Sequence, residues 1–436
     1  MGSRNLQIPS PKKLKIDNNG DRISTLPNNL LHEILALLDM KQVVQTSVLS
    51  TRWRDLWTSI STLNFNSTVF LKSTKKTAKD KDRFIEFVDQ ALLHHDNSSL
   101  KTFRLFYDER RRLPPERVYS WIRALTLHLE WVDFVDVKLT SNLLSSCPDL
   151  ESLIIVYCRF AEMKNLVIFN LKLKHLVIEN CSDGEDECEK DYCKITIYAP
   201  NLVSLRLKDH LGRDYSIGTL SSLVTVDIHM EKEIMVDINC YTTLIPAKVK
   251  VEYAKRVMRH LKVVRNVRAL TISPWMLEVL NPPVSLVEVR PLQFLNLRHL
   301  NLITWLSGDC IHAIAYLLNS SPNVESLNLK LTKRDVYVFD GDEEVFHPTI
   351  ASKYQDTGLT LRCMYNLKYV EIQGILGCPN GLKFLEVLLK NALVLEKMVI
   401  FTFTEHLPNK EKWLMKFIEK LQKISRASSS TSIFVR

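Results

Sequence analysis

Nine cysteines and twelve histidines are the side chains of this chain best suited to metal binding or to nucleophile-and-base chemistry. Cys181, Cys188 and Cys193 form the tightest thiol group, yet they include no C-x-x-C pair and no histidines spaced to complete a tetrahedral zinc site. Glu185, Asp186, Glu187 and Glu189 run through the same stretch, which reads as a solvated acidic loop. Thiols that are odd in number and scattered singly point to reduced, intracellular cysteines rather than a disulfide framework. His94 and His95 close a helical stretch. Adjacent helical positions face different ways, so the pair reads as a cap or a water-facing pair rather than as two ligands of one ion. The histidines lack the partnered nucleophile, paired carboxylates or metal cluster that catalysis needs, and no G-x-G-x-x-G or G-x-x-x-x-G-K-[ST] loop is present to cradle phosphate. The sequence therefore assigns no catalytic residue, no metal and no cofactor, and its chemistry is expected to be binding.

The elements that would position a binding surface begin at 21–57. After Pro27, the residues Leu30, Leu31, Ile34, Leu37 and Leu38 fall at helical spacing, and Leu35 widens the stripe beyond what one core contact requires. Asp39 can cap a second helix carrying Val43, Val44, Ser47 and Val48, and Ser50 a third carrying Trp53, Leu56 and Trp57. Three such short helices cannot bury their own apolar faces, so the segment needs a partner protein.

Leu26-Pro27, then Val48-Leu49-Ser50, then Arg52-Trp53-Arg54-Asp55-Leu56-Trp57 resemble the F-box of plant F-box/leucine-rich-repeat proteins. The resemblance implies docking on a Skp-type adaptor and, through it, on a cullin, with a protein substrate held by the rest of the chain. It assigns the adaptor-binding module to Leu26, Pro27, Leu30, Leu31, Ile34, Leu35, Val48, Trp53 and Trp57, some docking and others holding the helices together. One departure is visible: the family usually opens the second helix with proline, and this chain has Asp39, which exchanges a rigid start for a side-chain cap.

Beyond the F-box an apolar-x-x-apolar-x-apolar phrase recurs, starting at residues 100, 150, 173, 202, 223, 267, 297, 324, 367 and 395. From 150 onward most steps are 21 to 30 residues, a leucine-rich-repeat period, and the two long steps, of 44 and 43, are each expected to hold two repeats. Each phrase reads as a short strand turning Leu153 and Ile155, or Leu327 and Leu329, to one face, and stacking such units in parallel buries that face. The segments 143–153 and 313–327 read as helix, Ser/Asn/Pro stop, then strand. The expected fold is α/β: a three-helix F-box, then a curved solenoid of parallel strands with outer helices or loops. Opposite side chains would line the inner face and offer area to a substrate: Arg104, Phe106, Ile154, Val156, Val177, Glu179, Arg206, Lys208, Asp227, His229, Thr271, Ser273, Asn301, Ile303, Asn328, Lys330, Glu371 and Gln373. Their mixed charge does not name the ligand, and for any one of them a solvated or self-packed role competes.

At the C-terminal end, Cys363, Leu367, Lys368, Val370, Glu371, Ile372, Gly374 and Gly377 resemble the FBD domain that commonly follows the repeats in plant F-box proteins. Asn391-Ala392, 395–398, Ile400 and Arg426-Ala427-Ser428 extend the resemblance, whereas Cys378-Pro379-Asn380-Gly381 stands where the family usually has acidic residues. Physically the segment reads as one more repeat. Its helix places Leu382, Leu385, Leu388 and Leu389 on one side, and a helix at 411–424 groups Trp413, Leu414, Phe417, Ile418 and Leu421, so its simplest role is to cap the open end of the solenoid.

The expected division is a basic tail at 1–20 without fixed structure, the F-box at 21–66, repeats at 67–355 and the FBD-like end at 356–436. Only 11 glycines and 16 prolines among 436 residues leave no long flexible linker, and no run of eighteen apolar residues suits a bilayer. The net charge of +9 is dispersed apart from Arg110–Arg112, without a basic stripe interleaved with aromatics, which argues against a nucleic-acid partner. The expected function is a non-catalytic substrate-recognition subunit of a Skp–cullin–F-box ubiquitin ligase in nucleus, cytoplasm or both, with Pro11–Lys15 readable as an import signal or a solvated tail. The competing expectation is a repeat scaffold outside any ligase, its F-box-like helices merely capping the first repeat.

Overall fold

The computed structural model describes residues 23, 25–71, 78–96, 100–107, 117–118, 121, 124–132, 134, 147–160, 163–181, 192–232, 245–280, 292–332, 337–340, 343–346, 361–375, 380–402 and 410–436. Thirteen strands form one sheet: β1 (Thr62–Asn66), β2 (Thr102–Phe106), β3 (Thr126–Glu130), β4 (Ser152–Val156), β6 (His175–Glu179), β8 (Ser204–His210), β10 (Thr225–Glu231), β11 (Ala269–Ile272), β12 (His299–Thr304), β13 (Ser326–Leu331), β16 (Tyr369–Gln373), β17 (Lys397–Phe401) and β18 (Ser432–Val435). They lie in that order, and each pairs in parallel with the next.

The register explains why the phrase recurs. Leu63, Phe103, Leu127, Leu153, Leu176 and Leu205 align across β1 to β8 as one buried row, and Phe65, Leu105, Leu129, Ile155, Ile178 and Leu207 as the next. A parallel ladder without slip keeps every branched side chain over its equivalent in the neighbouring repeat, so the core is a continuous stack. Asparagines ahead of several strands tie repeats together: Asn201, Asn296 and Asn323 donate to the carbonyls of Leu171, Asn266 and Leu295 one repeat earlier.

The other side of this core is closed in different ways along the chain. Helices α5 (Ala78–His94), α6 (Ala247–Val263), α7 (Pro274–Leu280), α8 (Gly308–Asn319) and α9 (Gly381–Asn391) turn apolar faces inward, with Phe84 and Val88, Val257 and Leu261, Ile311 and Ile314, and Leu385 and Leu388 buried. In the middle a second parallel sheet of β5 (Asn165–Phe169), β7 (Lys194–Tyr198) and β9 (Tyr215–Ile217) takes the place of helices. Between the two sheets Arg213 is fully buried against Asp209, Nε to Oδ2 at 2.6 Å, while its other nitrogens donate to the Cys193 and Cys181 carbonyls. The Tyr215 hydroxyl donates to the same carboxylate.

The expectation for the long steps needs correction: each holds one repeat, because β10 pairs directly with β11 and β13 directly with β16. The first step carries the seventeen-residue α6, and the second an antiparallel hairpin of β14 (Tyr337–Asp340) and β15 (Glu343–Phe346). Meanwhile β1, β3 and β18 belong to the sheet but not to the ten phrases found in the sequence.

The F-box grows into the solenoid without a break. Helices α1 (Asn28–Leu35), α2 (Met40–Gln45) and α3 (Thr51–Leu56) precede β1, which is itself the first strand of the ladder. Asp39 caps α2 as expected, in a capping box with Gln42, whereas Ser50 makes no side-chain capping bond to α3. His94 bonds the Gln90 carbonyl at its own helix end; His95, expected at a cap or in water, is instead buried and donates from Nε2 to the Ile60 carbonyl at 2.7 Å. Cys181 and Cys193 are buried thiols and Cys188 lies outside the described residues, as do the 1–20 tail and Arg110–Arg112.

Candidate protein-docking surfaces

The F-box residues separate by position. Leu31, Leu35 and Trp53 are buried with Met40, Val43 and Leu56, so they fill the module's interior and do not form a docking surface. Leu26 and Trp57 are half-buried, and Pro27, Leu30, Ile34 and Val48 are exposed. Two further apolar side chains are as open as these: Leu37, 83% exposed just beyond the end of α1, and Leu49, 65% exposed beside Val48 at 87%. Apolar groups this accessible on a filled module are available to a partner. Arg52 braces the group: its guanidinium donates to the Leu26 carbonyl and to Asn28 Oδ1, each at 2.6 Å, tying the Leu-Pro entry to α3.

The second surface is the uncovered face of the large sheet. Arg104, Phe106, Ile154, Val156, Val177, Glu179, Arg206, Lys208, Asp227, His229, Thr271, Asn301, Ile303, Asn328, Lys330, Glu371 and Gln373 all point away from the core, none of them buried. Ser273 does not share that face: it is 1% exposed, and its hydroxyl accepts from the Met230 N–H and donates to the Met230 carbonyl, closing the end of β11 onto β10.

The face is zoned. Over β2 to β4 it is mixed, with Phe106, Ile154 and Val156 beside Arg104, His128 and Glu130. Over β6 to β10 it is charged, with Arg206 held between Glu179 at 3.7 Å and Asp227 at 3.2 Å, an arrangement that neutralises charge more than it stabilises because all three are wet. Over β11 to β16 it is amide-lined. Asn328 donates to Asn301 Oδ1, Asn301 donates to Thr271 Oγ1, and Glu371 accepts from the Tyr369 hydroxyl and the Gln373 amide. A shallow cavity of about 160 Å³ opens there among Asn301, Ile303, Asn328, Lys330, Glu371 and Gln373.

Comparison with known proteins agrees with this arrangement. The family model for the F-box domain matches residues 23–64, and that for the At1g61320/AtMIF1, LRR domain matches residues 74–432. The chain belongs to the F-box/leucine-rich-repeat family. Among its relatives in Arabidopsis thaliana, F-box/FBD/LRR-repeat protein At2g26030 is 24% identical over 94% of this chain and 98% of its own length. F-box/FBD/LRR-repeat protein At5g22700 is 28% identical over 72% of this chain and 80% of its own, and putative F-box/FBD/LRR-repeat protein At4g13965 is 27% identical over 71% and 75%.

As in an F-box/leucine-rich-repeat protein, the repeats here run to the C-terminal end. The FBD-like segment supplies β16, α9 and β17, with Leu385, Leu388 and Leu389 buried and Leu382 half-buried. Gly374 sits at φ 80°, where a side chain would be strained, and its N–H donates to the Phe401 carbonyl of the next repeat. Asn380 reaches back to donate to the Leu306 carbonyl, while Cys378 and Pro379 lie outside the described residues. Helix α10 (Lys410–Gln422) buries Phe417 and Leu421, and β18 then adds the last rung, with Ser428 and Thr431 hydroxyls donating to the Leu395 carbonyl. Among the described residues no helix is long and apolar enough to cross a membrane, and no group of His, Cys, Asp and Glu is placed to hold a metal.

Sequence reasoning missed Leu37 as an exposed group because it continued the helical spacing. It also missed Arg52, read only as part of a motif, and the aromatic pair Trp131 and Tyr157 at the ends of β3 and β4.

Proposed function

We propose that this chain is the substrate-recognition subunit of a Skp–cullin–F-box ubiquitin ligase. The F-box docks a Skp-type adaptor, the open sheet face holds a protein substrate, and ubiquitin transfer is carried out by the partner complex. The observation that supports this reading most is the exposed group Leu30, Ile34, Leu37, Val48 and Leu49 on a module whose interior is already filled. If the three helices served only to cap the first repeat, their apolar surplus would face β1; instead α2, with Met40 and Val43 buried, makes that contact and the surplus stays exposed. The rigid passage from α3 into β1 gives the proposal its mechanism: a substrate on the sheet is held at a fixed offset from the adaptor, which raises the effective concentration of its lysines near the ubiquitin thioester. Nucleus and cytoplasm are the compartments in which this assembly is proposed to act.

The test is capture of a purified Skp-type adaptor by the full chain and by Leu37→Asp/Val48→Asp. Loss of capture with an unchanged melting midpoint supports the interface. Capture at the wild-type level by this variant removes it and favours the scaffold acting outside a ligase.

A further inference from the structure

Three successive repeats turn at the same point with a left-handed residue: Trp131 (φ 59°) after β3, Tyr157 (φ 51°) after β4 and Asn180 (φ 52°) after β6. The turn is set by the ladder, since the Trp131 N–H donates to the Val156 carbonyl, that of Tyr157 to Glu179 and that of Asn180 to Lys208. Asparagine is an ordinary choice for such a backbone, whereas bulky aromatic residues are held there at a cost of about 1 kcal/mol or more each. Burial of part of each ring offsets that cost, yet much of each ring is left open. Trp131 and Tyr157 remain 45% and 41% exposed, stacked on one another with centroids 5.0 Å apart and planes 16° apart.

The residue before Trp131 supplies the second observation. Glu130 sits on the open face between Phe106 and Val156 in register, and among the described residues its ion-pair contact is His128 at 3.9 Å. Burial, and then the charge of Arg104, push the His128 pKa down, which disfavours its cationic form as a partner for the carboxylate; partial burial in turn raises the pKa of Glu130. A partly desolvated carboxylate on the residue that precedes an exposed aromatic stack is complementary to a planar cation. A guanidinium can lie on a ring face and pair with a carboxylate through its N–H groups, which a compact ammonium does less well.

We propose that Trp131, Tyr157 and Glu130 form a receptor for an arginine side chain presented by a bound polypeptide. This rests on the reading that the open face holds a protein partner and narrows that partner to one displaying an accessible arginine.

The experiment is to pan a random displayed-peptide library on the purified full-length chain and to titrate the resynthesised consensus peptide calorimetrically. The expected result is enrichment of sequences with arginine at one fixed position. Glu130→Gln and Trp131→Gly should each weaken binding about tenfold, as should citrulline in place of that arginine in the peptide. Enrichment of sequences lacking arginine, no enrichment at all, or equal affinity for the variants overturns the receptor. Adaptor capture by the same variants stays at the wild-type level, so failure here and failure of the F-box interface are read separately.

Discussion

Asp39 Oδ2 accepts the backbone N–H of Asn66 at 2.9 Å while Oδ1 accepts that of Lys41, so one buried carboxylate both starts α2 and fastens it to the end of the first repeat strand. The Lys41 ammonium completes the joint by donating to the Val69 and Phe70 carbonyls. A residue usual in the family, proline, could begin the helix but could not make this link. Asp39→Ala is therefore expected to destabilise the protein by about 2 kcal/mol, from the lost cap and the orphaned Asn66 N–H. Asp39→Pro should recover only the helix-start part. Urea unfolding of both variants measures the difference.

Burial separates the F-box leucines into two classes with opposite phenotypes. Leu31→Ala, at a fully buried site, should cost about 2–5 kcal/mol of stability. Leu37→Ala should leave stability within about 0.5 kcal/mol. If Leu37 is a central anchor, the same variant weakens adaptor binding by about 2 kcal/mol, roughly thirtyfold. Thermal unfolding and titration with adaptor, run on the same two proteins, check both halves.

Much of this architecture was legible because a leucine-rich repeat writes its strand directly into sequence. All ten phrases are strands of the large sheet, and the helix at 313–319 and the leucines of α9 fall where their spacing put them. The three missed strands have particular causes. Ile60-x-x-Leu63-x-Phe65 fits the phrase but lies against the F-box, where it was absorbed into that motif. The strand β3 opens its phrase with Ala124, a small residue that is nonetheless buried, and β18 has no apolar opener because the Ser428 and Thr431 hydroxyls hold that turn. The long steps were misread because length alone cannot distinguish a second rung from an insertion; only pairing does. Of the site, the direction of the open-face side chains followed from period two except at Ser273, which lies just past the end of β11, whereas the Trp131–Tyr157 stack depends on φ, which no spacing reveals.

The buried Arg213–Asp209 pair predicts an asymmetry between single and combined variants. Arg213→Ala strands a carboxylate with both side chains fully buried and should cost about 4 kcal/mol. Asp209→Leu/Arg213→Met/Tyr215→Phe, which removes both charges and the hydroxyl that pairs with them, should regain part of that loss in equilibrium unfolding, the Cys181 and Cys193 carbonyls being left without their donor.

His260 on α6 is buried edge-on to Tyr215, and burial, reinforced by Arg259 and Arg256 and opposed by Asp214, lowers its pKa from 6.5 to about 4. The unfolded chain therefore binds a proton that the folded chain refuses between those values. Its contribution to stability is complete above pH 6.5 and falls as pH drops toward 4, by up to roughly 3 kcal/mol. Subtracting the pH–stability curve of His260→Leu from that of the wild type isolates the effect; parallel curves across pH 4 to 6.5 would contradict it.

Direct pairing of β13 with β16 makes the hairpin between them dispensable to the ladder. Leu327 meets Val370 and Leu329 meets Ile372 without any residue of 337–346 in register with either strand. Excising 337–346 and joining the flanks should therefore change stability by no more than about 0.5 kcal/mol, since closing a shorter loop between the same two rungs carries little entropic cost. Removing 299–325 instead deletes β12 together with α8 and forces β11 against β13, so both a rung of the ladder and the helix that covers the core there are lost. Cooperative unfolding that survives the first deletion and collapses after the second is the expected pair of results; equal damage from both would restore a second repeat to that stretch.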